Sequence, residues 1–299
     1  MLATPRAPQL VTIDSMVEGV HFKLDWGPPE AFGARALTVN LSDIAAMGGV
    51  PTACVVNLAI RPGLEPAFFD RLYLGLRRAA AAARVDIVGG NITRADALAI
   101  TIALWGEARG PVMRRAAARP GDEVFVTGTL GDAALGWRIL DGRIEAGGAV
   151  RRFLVDRFLN PVARLAAGAK LARLRPVPAA LDLSDGLWQD LGHILEASGV
   201  GAEIDASAIP LSSAYLSLMG QDLESDLELA LSGGEDYELL FCTRAKLSAA
   251  ALSRRLGLPV HRIGRIIAGR KAVLVGAHSA ASRSPRVAGW DQLRPPGAD

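Results

Sequence analysis

The chain has 299 residues, half of them hydrophobic and 21% charged, with a formal net charge of +2. That balance excludes a disordered chain and supplies enough apolar material for one large domain or two ordinary ones. The small basic excess forms no dense run, so no nucleic-acid partner is expected, and no apolar stretch reaches membrane-spanning length.

Taken in chain order, the first predicted strand is LVTI (10–13), which ends beside Asp14. A second, ALTVNL (36–41), leads through Ser42 and Asp43 into a predicted helix over 42–49. Strand ACVVNLAI (53–60), an amphipathic helix over 65–84, and strands VDIVGG (85–90) and LAITIALWGEA (98–108) complete the N-terminal half. The Arg-rich, Pro-Gly stretch RRAAARPGDEV (114–124) reads as a boundary, giving an N-terminal domain over 1–117 and a C-terminal domain over 118–299. Beyond it come strand DEVFVTG (122–128), helices over 132–142 and 161–174, strand AALDL (179–183) and a helix over 186–198. Strands over 201–205, 237–243 and 272–277 and a helix over 245–257 follow. The mixture defines an α/β (or α+β) protein. Cys54 and Cys242 each sit in an apolar strand-like run, so no disulfide framework is expected. A reducing cytoplasm fits that usage, and the N-terminus lacks a signal-peptide core.

Isolated carboxylates stand at the ends of these elements. Asp14 follows the first strand, Asp43 and Asp185 occupy two Leu-Ser-Asp turns, Asp182 closes its own strand, and Glu235 and Asp236 precede another. A Ser or Asp in a strand–helix turn can simply cap the helix, and that reading carries about equal weight for each turn alone. Several acids converging on one cleft would instead raise one another's pKa, and they stay ionised together only around cations. Mg²⁺ is the natural candidate, since it takes oxygen ligands and pairs carboxylates with substrate phosphates. The Gly pairs in IVGGNITR (87–94) and VTGTLGDAALG (126–136) could bring backbone N–H groups to an anion, or be ordinary tight turns. Neither GxxxxGK[ST] nor GxGxxG occurs. His21 could bond a substrate or be structural; Arg114 and Arg115 could clamp phosphate or be boundary charge.

The stretches TIDSMVEGVHF (12–22), NLSDIAAMGGVP (40–51), VGGNITR (88–94), LDLSDGLWQDL (181–191), SGGEDYELLF (232–241) and GWDQL (289–293) carry a resemblance. In this order they are similar to the thiamine-monophosphate kinases, in the superfamily of aminoimidazole ribonucleotide synthetase, selenophosphate synthetase and a hydrogenase maturation factor. The resemblance implies a two-domain aminoimidazole ribonucleotide synthetase-like fold with a mixed N-terminal sheet, commonly paired into a homodimer. It implies direct transfer of the ATP γ-phosphoryl group to thiamine monophosphate, assisted by several Mg²⁺ ions. By the same resemblance, Asp14, Asp43, Asp182 and Asp185 match metal-binding acids. Thr12 matches a further metal ligand; Ile13 stands where the family often has Thr or Ser, a ligand that the backbone of Ile13 could supply instead. Gly90, Asn91, Arg115 and Ser184 match nucleotide contacts, and His21, Glu235 or Asp236, and Trp290 match the thiamine end. Asn91 stands where the family has a metal-binding aspartate. The family also has a preceding segment with a Gly-Asp-Asp-like acidic motif, which this sequence does not carry. Two rival readings are a non-catalytic homologue that binds nucleotide or thiamine phosphates, and another ATP-dependent enzyme of the superfamily.

Overall fold

The computed structural model describes residues 7–219 and 227–276. Two sheets organise them. The first is built from β1 (Gln9–Val17), β2 (Val50–Ile60), β3 (Asp86–Arg94) and β4 (Ala99–Glu107), in the order β1-β4-β2-β3. Its pairs are antiparallel except β2 with β3, which run parallel. Residues on β2 and β4 alternate as a half-buried sheet requires: Cys54, Val56, Leu58, Ile100, Ile102 and Leu104 point into the core. That inner face is covered by α1 (Pro29–Ala46) and α2 (Pro66–Ala83), which pack on each other. On the opposite face Val11 and Ile13 are 60% and 64% exposed.

α1 corrects the sequence reading. Residues 36–41 are not a strand but the middle of an 18-residue helix, so Asp43 lies inside helix α1 and not in a strand–helix turn. The reason is burial on nearly every side: Ala36, Leu37, Val39, Asn40, Leu41 and Ser42 are all buried. An apolar run without a polar face has no period to distinguish helix from strand. Pro29, at the first helical position, sets the start of α1 where its missing N–H costs nothing.

The second sheet has the order β10-β7-β9-β5-β8-β6. Its strands are β5 (Glu123–Thr127), β6 (Ala179–Asp182), β7 (Gly201–Asp205), β8 (Leu239–Thr243), β9 (Val260–Ile267) and β10 (Ala272–Val275). Only β10 and β7 pair in parallel. β9 was absent from the sequence reading because VHRIGRII carries two arginines and a glycine. Buried Val260, Ile263 and Ile266 hold it in place, with a register shift opposite Val124/Phe125. One face of this sheet packs under α3 (Asp132–Leu140), α4 (Gly148–Leu159), α6 (Leu187–Ser198), α7 (Ser213–Met219) and α8 (Glu228–Ser232). The other face carries the stacked pair Phe125–Phe241 and packs against α5 (Leu165–Leu171) and α9 (Ala249–Leu256). Helices α4, α7 and α8 are additions to the predicted set. Ala45 and Ala46, at the end of α1, join this second core, while Phe158 and Leu159 of α4 join the first. The two halves therefore interlock, and α1 crosses between them. Cys54 and Cys242 are both free and buried.

Candidate active site

A cleft of about 200 Å³ opens where α1 meets both sheets. Four segments build it. On β1, Leu10, Thr12, Asp14 and Met16 share the α1-facing side by the two-residue period of a strand. Ile13 faces the opposite way, so only its backbone could serve this cleft. On α1, Arg35, Val39 and Asp43 recur every four residues and line one stripe of the cleft wall. The end of β6 and the turn before α6 supply Asp182, Ser184 and Asp185, and the loop before β8 supplies Glu235 and Tyr237. His21 closes the rim.

The acids meet as the carboxylate argument required. The Thr12 hydroxyl donates to Asp43 Oδ2. Burial, reinforced by the charges of Asp43, Glu235 and Asp185, pushes Asp14 up to about 7. Asp182, 3% exposed, is pushed to about 7 by burial and by Asp43 and Asp14. Burial also raises Asp43, opposed by the Thr12 hydroxyl, Asp14 and the positive charge of Arg115, and it raises Asp185, opposed by the Gln189 amide. The donors are carboxylates and hydroxyls, hard oxygen ligands without a thiol, and this set fits Mg²⁺. Asp185 also converges with Asp190 and His193, their ligand atoms lying within 4.8 Å of one another.

The acidic turn is held from below. Asp190, one turn into α6 and 2% exposed, accepts through a single oxygen from the backbone N–H groups of Ser184, Asp185 and Gly186 at 3.1–3.2 Å. Gly186 takes φ +113°, and Ser232 backbone atoms would stand 2.8 Å from any Cβ there, so the bend requires glycine. The turn is also bonded to the Glu235 loop: Glu235 N donates to Ser184 O and Tyr237 N to Leu183 O, each at 2.8 Å. At the rim, Val17 N–H donates to His21 Nδ1 at 3.1 Å. That bond places the imidazole proton on Nε2, and burial lowers the His21 pKa, so the ring is a neutral donor.

Other residues named from the sequence stand elsewhere. Asp236 is buried behind the cleft, where both its oxygens accept from Gly131 N, so Glu235 and not Asp236 faces the opening. Arg115 is exposed on a short 3-10 turn, Arg115–Ala117, near enough for its charge to act on Asp43. Gly90 and Asn91 lie on β3, at the opposite edge of the first sheet from β1. Asn91 pairs with Asn57, Asn57 with Thr101, and Thr101 with Ser15. Three strand spacings, roughly 14 Å, therefore separate Asn91 from the acidic strand, and within one chain it does not join the cluster. Gly90 is required by packing, since a Cβ there would run into Val56 O. Trp290 lies outside the described residues.

Gly90 and Asn91 instead line a second cavity of about 450 Å³ with Tyr73, Ile87, Gly89 and Ile92. The Asn91 amide donates to Asn57 Oδ1 at 3.1 Å. Tyr73 was missed from the sequence, as were Arg35 and Tyr237. Their signal was weak: no local pattern marks any of them, and only the fold turns each toward a cavity.

Comparisons with known proteins agree with this architecture. The AIR synthase related protein N-terminal domain matches residues 3–108, and the corresponding C-terminal domain matches residues 119–276. Thiamine-monophosphate kinase of Salmonella typhimurium is 39% identical over 266 residues, covering 86% of this chain and 78% of that protein. The crystal structure of thiamine-monophosphate kinase from Stenotrophomonas maltophilia superposes with TM-score 0.83 at 37% identity, covering 93% of this chain and 89% of that one. The structure of AaThiL complexed with AMPPCP and TMP superposes with TM-score 0.82 at 33% identity, over 94% and 87% of the two chains. Shared sequence over most of both lengths, on the same two-sheet frame, settles the ancestry: the chain belongs to the thiamine-monophosphate kinase family, built from the two AIR synthase related domains.

Proposed function

We propose that the protein transfers the γ-phosphoryl group of ATP to the phosphate of thiamine monophosphate, releasing ADP and thiamine diphosphate. The observation that carries this reading is the convergence of Asp14, Asp43, Asp182 and Asp185 on one cleft that also receives His21 and Glu235. In this reading the acids, with Thr12 and the Ile13 backbone, hold several Mg²⁺ ions. When bound, these ions neutralise the two phosphate chains and polarise the transferring group. A phosphate oxygen of the acceptor attacks the γ-phosphorus as the bond to the ADP oxygen breaks, in line and without a covalent enzyme intermediate. The chain's own work is positioning. Ser184 and Arg115 contact the nucleotide phosphates, the cavity of Tyr73, Gly90 and Asn91 receives another part of the nucleotide, and the His21 Nε2–H and Glu235 orient the acceptor. Trp290 belongs to the acceptor end by resemblance alone. We place the dimer contact, the nucleotide corner and the Asp14 and Asp43 side of the metal site in 1–117, with the C-terminal domain, 118–299, supplying Asp182, Ser184, Asp185 and Glu235 from the opposite side of the cleft. ADP release that requires ATP, Mg²⁺ and thiamine monophosphate together tests the reading. ADP release independent of the acceptor, or none at all, would refute it.

The acidic cluster also fixes a pH dependence. Asp14 and Asp182 lie near 7 when folded and near 3.8 when unfolded, so between those values the folded chain holds protons that the unfolded chain has released. Stability of the ion-free protein therefore falls as pH rises through that window. Divalent ions, which replace those protons, recover it most above pH 7. In EDTA the melting temperature is expected to be lower at pH 8 than at pH 6, and the rise on adding Mg²⁺ to be larger at pH 8. Equal Mg²⁺ shifts at both pH values would remove the cluster as the binding site.

The open face of the first sheet supports a homodimer. Val11 and Ile13 are exposed there, and Ala99, Thr101, Ala103 and Trp105 of β4 are half-exposed between buried neighbours. An apolar face of this kind fits a second copy of the sheet packed against it. Ala103→Glu, at the centre of that face, is expected to give a monomer by light scattering; an unchanged dimer mass would place the contact elsewhere. Among the described residues no helix is long and apolar enough to cross a membrane.

A further inference from the structure

Arg35 is the largest fully buried side chain among the described residues, 2% exposed. Its guanidinium lies 3.8 Å from the centroid of the Phe158 ring. From there Nη2 donates to Glu235 Oε2 at 2.6 Å, and Nη1 to the His21 carbonyl at 3.4 Å. One side chain on α1 thus touches the His21 loop of the first half and the Glu235 loop of the second. The Tyr237 hydroxyl donates to the same Glu235 Oε2 at 2.9 Å. No hydrogen bond to Glu235 Oε1 forms among the described residues, and the Glu235 side chain is 26% exposed to the cleft. The loop is held against its own preference, because Glu235 and Tyr237 have φ of +64° and +50°, a region that non-glycine residues rarely occupy.

Burying an arginine under an aromatic ring to hold one carboxylate is expensive as a stability device, since well-packed apolar groups can often replace such a pair without loss. Its effect on the cleft is specific. Two donors on Oε2 lock the carboxylate's rotation and leave a single acceptor oxygen facing the opening. The guanidinium charge also offsets Glu235, whose negative charge otherwise adds to that around Asp14 and Asp185.

We propose that Arg35 is a positioning residue for acceptor recognition: together with the Tyr237 hydroxyl it fixes Glu235 so that Oε1 alone meets an N–H donor of the acceptor. The proposal rests on the reading of Glu235 as an acceptor contact, and the test separates the two. KM for thiamine monophosphate and for ATP, and calorimetric binding of thiamine monophosphate alone, are measured for Glu235→Gln, Arg35→Lys, Tyr237→Phe and the Arg35→Lys/Glu235→Gln pair. Glu235→Gln is expected to weaken acceptor binding about tenfold, the scale of one hydrogen bond to a charged group. Arg35→Lys and Tyr237→Phe are expected to weaken it several-fold with KM for ATP within twofold. In the Glu235→Gln background, Arg35→Lys should add little, because the two act through one carboxylate. If Glu235→Gln weakens the acceptor but neither Arg35→Lys nor Tyr237→Phe does, the positioning role is overturned and the Glu235 reading stands. If Arg35→Lys raises both KM values alike and adds fully to Glu235→Gln, Arg35 only supports packing. If Glu235→Gln leaves acceptor binding unchanged, the Glu235 reading fails and the Arg35 proposal with it. Should Arg35→Lys not fold, Tyr237→Phe alone decides, since it removes one hydroxyl from the same oxygen.

Discussion

Asp182→Asn is expected to lower kcat about a thousandfold or more while making the ion-free protein more stable at pH 8. The two halves of that result have one cause. Asp182 sits at the end of β6, 3% exposed, with Asp43 and Asp14 as the charges acting on it. Asparagine keeps the shape but removes one negative charge from a set that must hold divalent ions against phosphates. Metal stabilisation of a transferring phosphoryl group is worth several kcal/mol, and each 1.36 kcal/mol is tenfold in rate. In the absence of ions the same charge repels its neighbours, so its removal relieves the folded state. Its benefit is absent below about pH 4, where the acid is protonated in both states, grows as pH rises towards 7, and is complete above 7, where Asp182 would otherwise be ionised. Steady-state ADP release with thermal melts in EDTA reads both effects. A variant within tenfold of wild-type rate at ordinary Mg²⁺ would show that Asp182 is structural.

Glu238→Ala is expected to cost the largest stability, about 3–5 kcal/mol, the range for breaking a buried ion pair from one side. Glu238 is fully buried immediately before β8 begins at Leu239, outside the cleft lining. Arg164 binds it with two bonds, Arg157 Nη2 donates to it at 3.2 Å, and the Thr127 hydroxyl donates at 2.6 Å. Among the described residues Arg157 Nε already has no hydrogen-bond partner, so removing Glu238 leaves two guanidinium groups largely buried around an empty space. The Glu238 carbonyl also accepts from Leu183 N, which joins this network to the acidic turn. The melting temperature should fall by roughly 10 °C for a chain of this size. Glu238→Gln should recover part of the loss, because its amide oxygen can still accept. A melting temperature unchanged by Glu238→Ala would mean that the two arginines find water in its place.

Much of the site was legible because its residues are unusual where they stand. Asp182, Ser184 and Asp185 follow a run that is plainly a strand, and the structure keeps that strand–turn–helix order. Asp14 was expected at a strand end and lies within β1, yet the two-residue period still turns it toward α1. Asp43 was expected in a turn and is helical, but it reaches the same cleft because Arg35, Val39 and Asp43 share one stripe. Glu235 and Asp236 could not be separated by sequence. The two acids are adjacent in a loop whose backbone turns through positive φ at Glu235 and Tyr237, and only the Gly131 amide shows which one is turned inward. Asn91 was grouped with the metal ligands, whereas strand order places it on the far edge of the sheet.

By itself, the sequence determined the chemical character of this protein. It dictated most of the strands and helices, the carboxylates flanked by apolar runs, the glycine-rich corner and, through motif resemblance, the family. These are properties of side-chain type and local spacing, which need no long-range contact. Tertiary structure alone decided which acids meet, that Asp236 turns away and Asn91 stands apart, and that Arg35, Tyr237 and Asp190 hold the cleft in shape. Those facts depend on sheet order and on one helix crossing between two cores, and such pairings link residues as distant as Arg35 and Glu235, where no local pattern can record them.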